Sequence, residues 1–269
     1  MSSKYFDILL PVPTDGVYTY RSAQALLSGQ RVLVPFGSKR SLAGICLKEA
    51  VKPEFDCKDI TEVLDDAPCF SPAWLELLQR LADYYIAPLG ATLHGVISQK
   101  ILAAKPPEHH EAELCMQAKP EPVTLLAEQA AVAANIALDG YSTHLIQGIT
   151  GSGKTEIYLD LMQKIMAKGK QTLYLVPEIS LTPQLIDRLA ARLGFKPLVY
   201  HSKLTDKRRN EAFWAWVRNE HPLLLGARSA LFVPSEHIGL IIVDEEHESS
   251  FKQEETPSYH LRDMAVLYA

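Results

Sequence analysis

The chain has 269 residues, 47% of them hydrophobic, and a formal net charge of −5 at pH 7. This length suits two domains, and the apolar content is enough for a hydrophobic core in each. No run of about 18 apolar residues occurs, which excludes a membrane-spanning helix, and the N-terminus shows no signal-peptide core. We therefore expect a cytoplasmic protein without a membrane partner. The net charge gives no overall sign of nucleic-acid affinity, because the distribution of charge matters more than its sum.

Residues 1–104 predict a small β-rich domain. Turn residues separate four short segments typical of strands, at 5–10, 17–20, 30–37 and 42–47. Short strands at this spacing indicate a small barrel or sandwich. Ser71 followed by Pro72 predicts the start of a helix that ends near Pro88, and a second helix is expected over 89–97.

The four cysteines do not form any Cys-x-x-Cys pair; they are Cys46, Cys57, Cys69 and Cys115. Neither a zinc site nor a redox motif is therefore indicated. We expect these cysteines to be reduced and structural.

Residues 105–122 predict a linker, because they combine proline and charge with little apolar content. From residue 123 to 269 strands alternate with helices, which indicates a mostly parallel, doubly wound sheet. Thr124 is expected to cap the first helix of this second domain. Its strands are predicted at 143–147, 172–177, 197–200, 223–226 and 240–243, with helices beginning after Lys154, at 182–183 and at Thr205.

Residues 148–155, GITGSGKT, match the phosphate-loop pattern, and a predicted strand and helix flank them correctly. The glycines let backbone N–H groups turn inward, and the helix N-terminus adds partial positive charge. The Lys154 ammonium can then reach the β- and γ-phosphates, and the Thr155 hydroxyl can ligate Mg²⁺. The predicted nucleotide-phosphate site consists of Gly148, Thr150, Gly151, Ser152, Gly153, Lys154 and Thr155.

Residues 240–247, LIIVDEEH, predict a strand buried on both faces whose C-terminal end carries acids. Acids at this end of a parallel strand point into the crevice where ligands bind. Asp244 is expected to hold Mg²⁺ through water, and Glu245 to orient and deprotonate the attacking water. The candidate catalytic residues are thus Lys154, Asp244 and Glu245. This interpretation requires Lys154 and Asp244 to meet across neighbouring strand ends.

Four ordered motifs resemble the PriA family of primosomal replication-restart helicases; they are 148–158, 175–184, 226–232 and 244–247. Segments 10–13 and 34–37 also resemble the DNA-binding domain of that family. The resemblance implies an α/β chain, with a β-rich N-terminal DNA-binding domain followed by one RecA-like lobe. It implies an ATP-dependent 3′–5′ DNA helicase that recognises stalled or abandoned forks and uses ATP and Mg²⁺. The implied partners are forked and single-stranded DNA, primosome proteins and single-stranded DNA-binding protein.

The resemblance also assigns roles to residues outside the phosphate loop. Gln129 would read adenine, and His247 would link the nucleotide site to the DNA-binding loops. Arg228 and Ser229, together with the loop at 177–179, would touch the DNA strand. Phe251 and Tyr259 lie in the segment that corresponds to an aromatic-rich loop of the family, where aromatic rings can stack on bases.

The chain departs from the family pattern in several places. It stops before the second motor lobe, which carries an arginine finger worth about 10³–10⁵ in rate in related systems. The family's zinc-binding cysteines are absent, and the linker stands where the family has a winged-helix domain. Thr19 replaces the usual acidic residue that grips a DNA 3′ end. We therefore expect this chain alone to bind nucleotide weakly and to hydrolyse it very slowly.

Two alternatives remain at this level. One is a DNA-binding module that kept the motor fold without turnover, and DNA binding that is insensitive to alanine at Lys154 or Glu245 would favour it. The other is a different phosphate-loop NTPase, such as a small-molecule kinase. The acidic box at 244–247 and the lack of a lid signature argue against the second.

Overall fold

The computed structural model describes residues 4–38, 40–107, 123–149 and 151–269. Most of the predicted linker, Cys115 and Thr150 lie outside these residues. Cys46, Cys57 and Cys69 are free and buried. In the described part of the chain no helix is long and apolar enough to cross a bilayer.

The N-terminal half is an antiparallel sheet in the order β2-β1-β4-β3-β5. The sheet curls until its ends meet, because the Arg21 N–H bonds the Lys58 carbonyl and the Ile60 N–H bonds the Arg21 carbonyl. Apolar side chains fill the interior, as a small barrel requires. The predicted strands are confirmed; they are β1 (Lys4–Leu9), β2 (Val17–Ser22), β3 (Arg31–Phe36) and β4 (Arg40–Ala50), joined by the unpredicted β5 (Glu62–Val63).

Three helices follow the barrel: α1 (Pro72–Tyr84), α2 (Leu89–Val96) and α3 (Gln99–Ala103). The predicted start of α1 is confirmed, since the Ser71 Oγ accepts the Trp74 N–H at 3.2 Å. The unpredicted α3 begins in the same way, at Ser98.

The C-terminal half is a parallel sheet in the order β7-β8-β6-β9, which confirms the α/β class. The helix that follows the phosphate loop buries Ile157, Leu161, Met162 and Ile165. The strands are β6 (Gln171–Leu175), β7 (Leu198–Tyr200), β8 (Leu223–Gly226) and β9 (Ile238–Val243). The helices are α4 (Ala127–Ala134), α5 (Lys154–Ala167), α6 (Pro183–Leu193), α7 (Asp206–Val217) and α8 (Leu261–Tyr268).

Two predictions about the phosphate-loop strand and the acidic strand were wrong. Residues 143–147 do not form a strand, and Leu145 is 80% exposed. β9 pairs with β6 on one side, and among the described residues no strand pairs with its other edge. Most of β9 is therefore half-buried rather than buried on both faces. An apolar run predicts a strand, but only its pairing partners decide how much of it is covered.

The predicted cap of α4 was also wrong. The helix begins at Ala127, three residues after Thr124. The side-chain oxygen of Gln129 accepts the Leu126 N–H at 2.9 Å and so takes over one role of a capping group. A polar residue inside the first turn can therefore accept an N–H at the helix start even where no side chain caps the helix.

The two halves share one hydrophobic core. Buried residues of the barrel and of α1 pack in the same cluster as residues of β6, α7 and the segment after β8. Trp74 of α1 donates its Nε1–H to the Phe232 carbonyl at 3.1 Å. The guanidinium carbon of Arg31 lies 4.6 Å from the ring centroid of Trp214 on α7. The barrel and the parallel sheet are thus joined by polar as well as apolar contacts.

His221 should make the protein sensitive to mild acid. Its Nε2 bonds the Lys196 carbonyl at 2.9 Å, and its Nδ1 accepts the Leu223 N–H at 3.2 Å. Burial lowers the pKa of His221 from 6.5 to about 4. Between these two values the unfolded chain binds a proton that the folded chain does not, so stability falls with decreasing pH. By pH 4.5 this residue should cost about 2–3 kcal/mol of stability relative to neutral pH.

Urea denaturation at pH 7 and pH 4.5 measures this loss. The His221→Asn variant should lose less stability between the two pH values than the wild type does. His237→Asn is the control, because His237 is exposed. An equal acid-induced loss in the wild type and His221→Asn would contradict the assignment.

Candidate nucleotide and DNA-binding site

The phosphate loop has the backbone that its glycines predict. Gly151 and Gly153 both have a φ of 82°, a left-handed conformation that side chains with a Cβ rarely adopt. Gly153 caps the N-terminus of α5, and a Cβ at this position would collide with the Gln129 amide. The loop therefore places backbone N–H groups at the start of a helix, which is a favourable place for phosphate.

Lys154 and Gln129 both contact the backbone of this loop. The Lys154 Nζ donates to the Gly148 carbonyl at 2.6 Å and to the Ile149 carbonyl at 3.4 Å. Gln129 Nε2 lies 3.4 Å from the Ser152 carbonyl. The ammonium is thus already positioned over the loop, where a phosphate oxygen could replace the carbonyls as its partner.

Asp244 lies at the C-terminal end of β9 and beside the helix that follows the phosphate loop. Its N–H donates to the Leu175 carbonyl at 2.9 Å. The Tyr158 hydroxyl of α5 donates to its Oδ1 at 3.3 Å, and the Tyr174 hydroxyl of β6 to its Oδ2 at 3.0 Å. Since Tyr158 is one turn after Lys154, Asp244 is held near the start of α5.

One cleft of about 2420 Å³ brings the nucleotide-site residues together. Its lining includes Gly148, Gly151, Ser152, Gly153, Lys154, Thr155, Asp244, Glu245 and His247. Residues 143–147 and β9 line the same cleft. The phosphate loop and the acidic motif therefore line one cavity, whereas Gln129 contacts the loop without lining that cavity.

Glu245 has a strained backbone, with a φ of 51°. Its side chain is exposed, and its N–H donates to Asp244 Oδ1 at 3.1 Å. A non-glycine residue in this region costs about 1–3 kcal/mol and persists where the surroundings enforce it, often at functional sites. The strain favours a functional role for the turn that follows β9.

The cleft fits magnesium rather than a metal held only by protein. Mg²⁺ is usually bound by one or two protein oxygens together with water and substrate phosphates. The Thr155 hydroxyl and the Asp244 carboxylate supply oxygens of this kind at the phosphate loop. Within the described ranges no group of three His, Cys, Asp or Glu side chains could hold a metal by itself.

The candidate DNA loops follow strands of the same sheet. Register pairs Leu175 of β6 with Gly226 of β8 and with Val243 of β9, so all three strands end at one edge. Short 3₁₀ helices follow β6 at Glu178–Ser180 and β8 at Arg228–Phe232. Arg228 Nη1 donates to the Lys252 carbonyl, and its guanidinium carbon lies 5.8 Å from the ring centroid of Tyr259. Ser229 is half-buried beside it.

Phe251 and Tyr259 are not available to stack on bases in this structure. Their exposed fractions are 1% and 2%, and both belong to the core shared by the two halves. The Tyr259 ring packs edge-on against Phe232, with centroids 5.3 Å apart. An aromatic pair in a loop looks the same in sequence whether it stacks on a ligand or anchors the loop, and here it anchors the loop.

Two family models match the chain. Residues 7–98 match the PriA 3′DNA-binding domain (3′BD), and residues 122–263 match the type III restriction enzyme, res subunit. The replication restart protein PriA of Treponema pallidum is 34% identical over 97% of this chain and 41% of its own length. The chain belongs to the PriA family. PriA of Bacillus subtilis is 47% identical over 55% of this chain and 19% of its own length.

PriA of Rickettsia felis is 35% identical over 97% of this chain and 40% of its own length. The chain therefore spans about two fifths of the length of the PriA proteins that match most of it. Membership of the PriA family decides against the small-molecule kinase alternative.

Thr19 lies within the part of the chain that matches the PriA 3′DNA-binding domain. Its hydroxyl donates to Asp7 Oδ1 on the facing strand at 2.8 Å. Lys48 Nζ lies 4.0 Å from the same carboxylate. Thr19 replaces the acid that the family resemblance leads one to expect. The Asp7 carboxylate of β1 nevertheless lies beside it and accepts the Thr19 hydroxyl.

Sequence reasoning missed the segment that follows β7. Tyr200 pairs with Gly226, so residues 201–203 leave the sheet at the same edge as the two candidate DNA loops. The Ser202 hydroxyl donates to Glu178 Oε1 at 3.1 Å, and Lys203 Nζ lies 3.4 Å from the same oxygen. Ser202 and Lys203 could have been identified from the sequence, because they are polar residues directly after a predicted strand.

Proposed function

We propose that this PriA-family chain forms the DNA-binding domain and the ATP-binding lobe of a replication-restart helicase. The activity would be ATP-dependent 3′–5′ movement on DNA at stalled or abandoned forks, in the cytoplasm. One observation carries the proposal: the Tyr158 hydroxyl bonds Asp244, so the phosphate-loop helix and the acidic motif face one cleft.

In this proposal the loop N–H groups and the Lys154 ammonium bind the β- and γ-phosphates of ATP. Gln129 contacts adenine. The Thr155 hydroxyl and, through water, Asp244 hold Mg²⁺, which neutralises charge on the phosphates when bound. The Glu245 carboxylate orients a water molecule and accepts its proton. Thr150 belongs to the proposed phosphate site by sequence, although it lies outside the described residues.

The DNA strand would cross the edge where β6, β7 and β8 end. Arg228 and Ser229 are the proposed strand contacts, and Lys203 is a further cation at this edge. Phosphate contacts by such cations give affinity that falls with salt. His247 lines the nucleotide cleft and would transmit its state to these loops. Primosome proteins and single-stranded DNA-binding protein are proposed partners of the whole protein.

Replacing Lys154 by alanine should weaken nucleotide binding. Losing a charge-assisted hydrogen bond costs about 1.5–3 kcal/mol, which corresponds to roughly a 10- to 150-fold rise in Kd. Titration of N-methylanthraniloyl-ADP into the 269-residue chain, with Mg²⁺ present, measures the change. The matched control is Lys164→Ala on the same helix, whose ammonium pairs with Asp160 instead.

A Kd that is equal in the wild type and Lys154→Ala would contradict the proposed nucleotide site. Binding of a single-stranded oligonucleotide should be measured in parallel with and without nucleotide. If neither nucleotide nor the Lys154→Ala substitution changes DNA binding, the alternative of a DNA-binding module without turnover is favoured.

A further inference from the structure

Two buried tyrosines enclose the Asp244 carboxylate from different elements. Tyr158 comes from α5 and Tyr174 from β6, and their exposed fractions are 7% and 1%. Their rings meet edge-on with centroids 5.9 Å apart. Both hydroxyls donate to the Asp244 carboxylate.

The donors leave the carboxylate with little freedom to rotate. Among the described residues, the Tyr158 hydroxyl and the Glu245 N–H reach Oδ1, at 3.3 and 3.1 Å. The Tyr174 hydroxyl reaches Oδ2 at 3.0 Å. A carboxylate offers about four acceptor positions, so the donors occupy both at Oδ1 and one at Oδ2. The remaining acceptor position is on Oδ2.

We infer that Tyr158 and Tyr174 are positioning residues for magnesium, because they fix the Asp244 carboxylate with Oδ2 as the oxygen that accepts from the metal-bound water. The inference rests on the proposed function. Partners that orient a metal-binding group are typically worth about 10- to 100-fold in metal affinity. The bond from Tyr158 to Asp244 has a second effect, because Tyr158 lies on the helix that begins at Lys154. The position of the phosphate-binding helix and the orientation of Asp244 are therefore coupled.

The test uses Tyr158→Phe, Tyr174→Phe and the double variant of the 269-residue chain. N-methylanthraniloyl-ADP is first titrated in EDTA, and Mg²⁺ is then titrated at fixed nucleotide. The expected result is an unchanged Kd in EDTA and a Mg²⁺ midpoint that rises about tenfold or more. Tyr200→Phe is the matched control, because Tyr200 is buried on β7 with β8 and β6 between it and β9. Its Mg²⁺ midpoint should equal that of the wild type.

The same substitutions in an Asp244→Asn background separate positioning from general damage. If the tyrosines act through Asp244, removing them should not change the Mg²⁺ midpoint further in that background. Equal midpoints in the wild type and both single variants would overturn the inference and leave the nucleotide site intact. Parallel losses in EDTA and in Mg²⁺ would also overturn it, since they indicate a structural role only. A wild-type chain without Mg²⁺-dependent nucleotide binding would overturn the proposed function as well.

Discussion

Replacing Arg31 by alanine should lower the free energy of unfolding by about 3–5 kcal/mol, because it leaves a buried charge without its partner. Arg31 is fully buried, and its Nη2 lies 2.7 Å from Oδ1 of Asp65. The Arg31 Nε also donates to Asp65, and the Asp65 Oδ2 accepts the Arg31 backbone N–H. Without the guanidinium, the Asp65 carboxylate would stay in the core with one backbone donor from Arg31.

The other end of the guanidinium serves a second group of acceptors. Arg31 Nη1 donates to the carbonyls of Ile101, Leu102 and Ala104, each at 2.9 Å. These carbonyls lie at the C-terminal end of α3, where the last turn of a helix leaves carbonyls short of intrahelical donors. Trp214 of α7 covers the guanidinium face. One side chain therefore connects the barrel, α3 and the parallel-sheet half.

Urea denaturation followed by circular dichroism measures this loss. The matched control is Arg21→Ala, which removes another bidentate Arg–Asp pair of the barrel, but an exposed one with Asp59. Exposed pairs contribute little, so this variant should unfold close to the wild-type midpoint. Combining Arg31→Met with Asp65→Leu should recover part of the loss, because no unpaired charge remains. A loss below about 1 kcal/mol for Arg31→Ala would contradict this account.

Trp74→Ala should also cost about 3–5 kcal/mol of folding free energy, since it removes the largest side chain of α1 from the shared core. Trp74 is 1% exposed, and its ring lies 4.5 Å from that of Phe70, between centroids. Its indole N–H donates to the Phe232 carbonyl, which belongs to the parallel-sheet half. The substitution creates a cavity and leaves a buried acceptor unpaired.

Two further variants separate these contributions. Trp74→Phe keeps most of the apolar volume and loses the N–H donor, so it should fall between the wild type and Trp74→Ala. Leu27→Ala is the surface control, because Leu27 is 57% exposed. If Trp74→Ala unfolds at the same urea concentration as Leu27→Ala, the shared core does not stabilise the protein as described.

The phosphate loop and the acidic motif could be predicted because their chemistry is local. Glycines at 151 and 153, a helix starting at Lys154 and acids directly after an apolar run are all consecutive in the chain. The helix starts at Ser71 and Thr205 could be predicted for the same reason, since a capping side chain and the N–H that it accepts are three residues apart. The cap predicted at Thr124 was wrong because the helix begins three residues later, at Ala127, and its N-cap position falls on Leu126.

The surroundings of these motifs depended on distant residues. Phe251 and Tyr259 were expected to stack on bases, yet Phe232 and the shared core enclose them. The strand expected at 143–147 has the right residues but is unpaired with β9, and β9 is consequently half-buried. A local pattern shows what a segment can form, whereas pairing and burial require a partner from elsewhere in the chain.

The sequence alone therefore determined that a β-rich half precedes an α/β half, where the phosphate-loop and acidic motifs lie in the chain, and the PriA resemblance. These depend on residue type and on spacings of a few positions, which any chain displays directly. Only the tertiary structure decided that two tyrosines 16 positions apart hold Asp244, and that Arg31 and Trp74 join the two halves. Such contacts arise where separate elements pack, and they cannot be predicted from the spacing of neighbouring residues in the sequence.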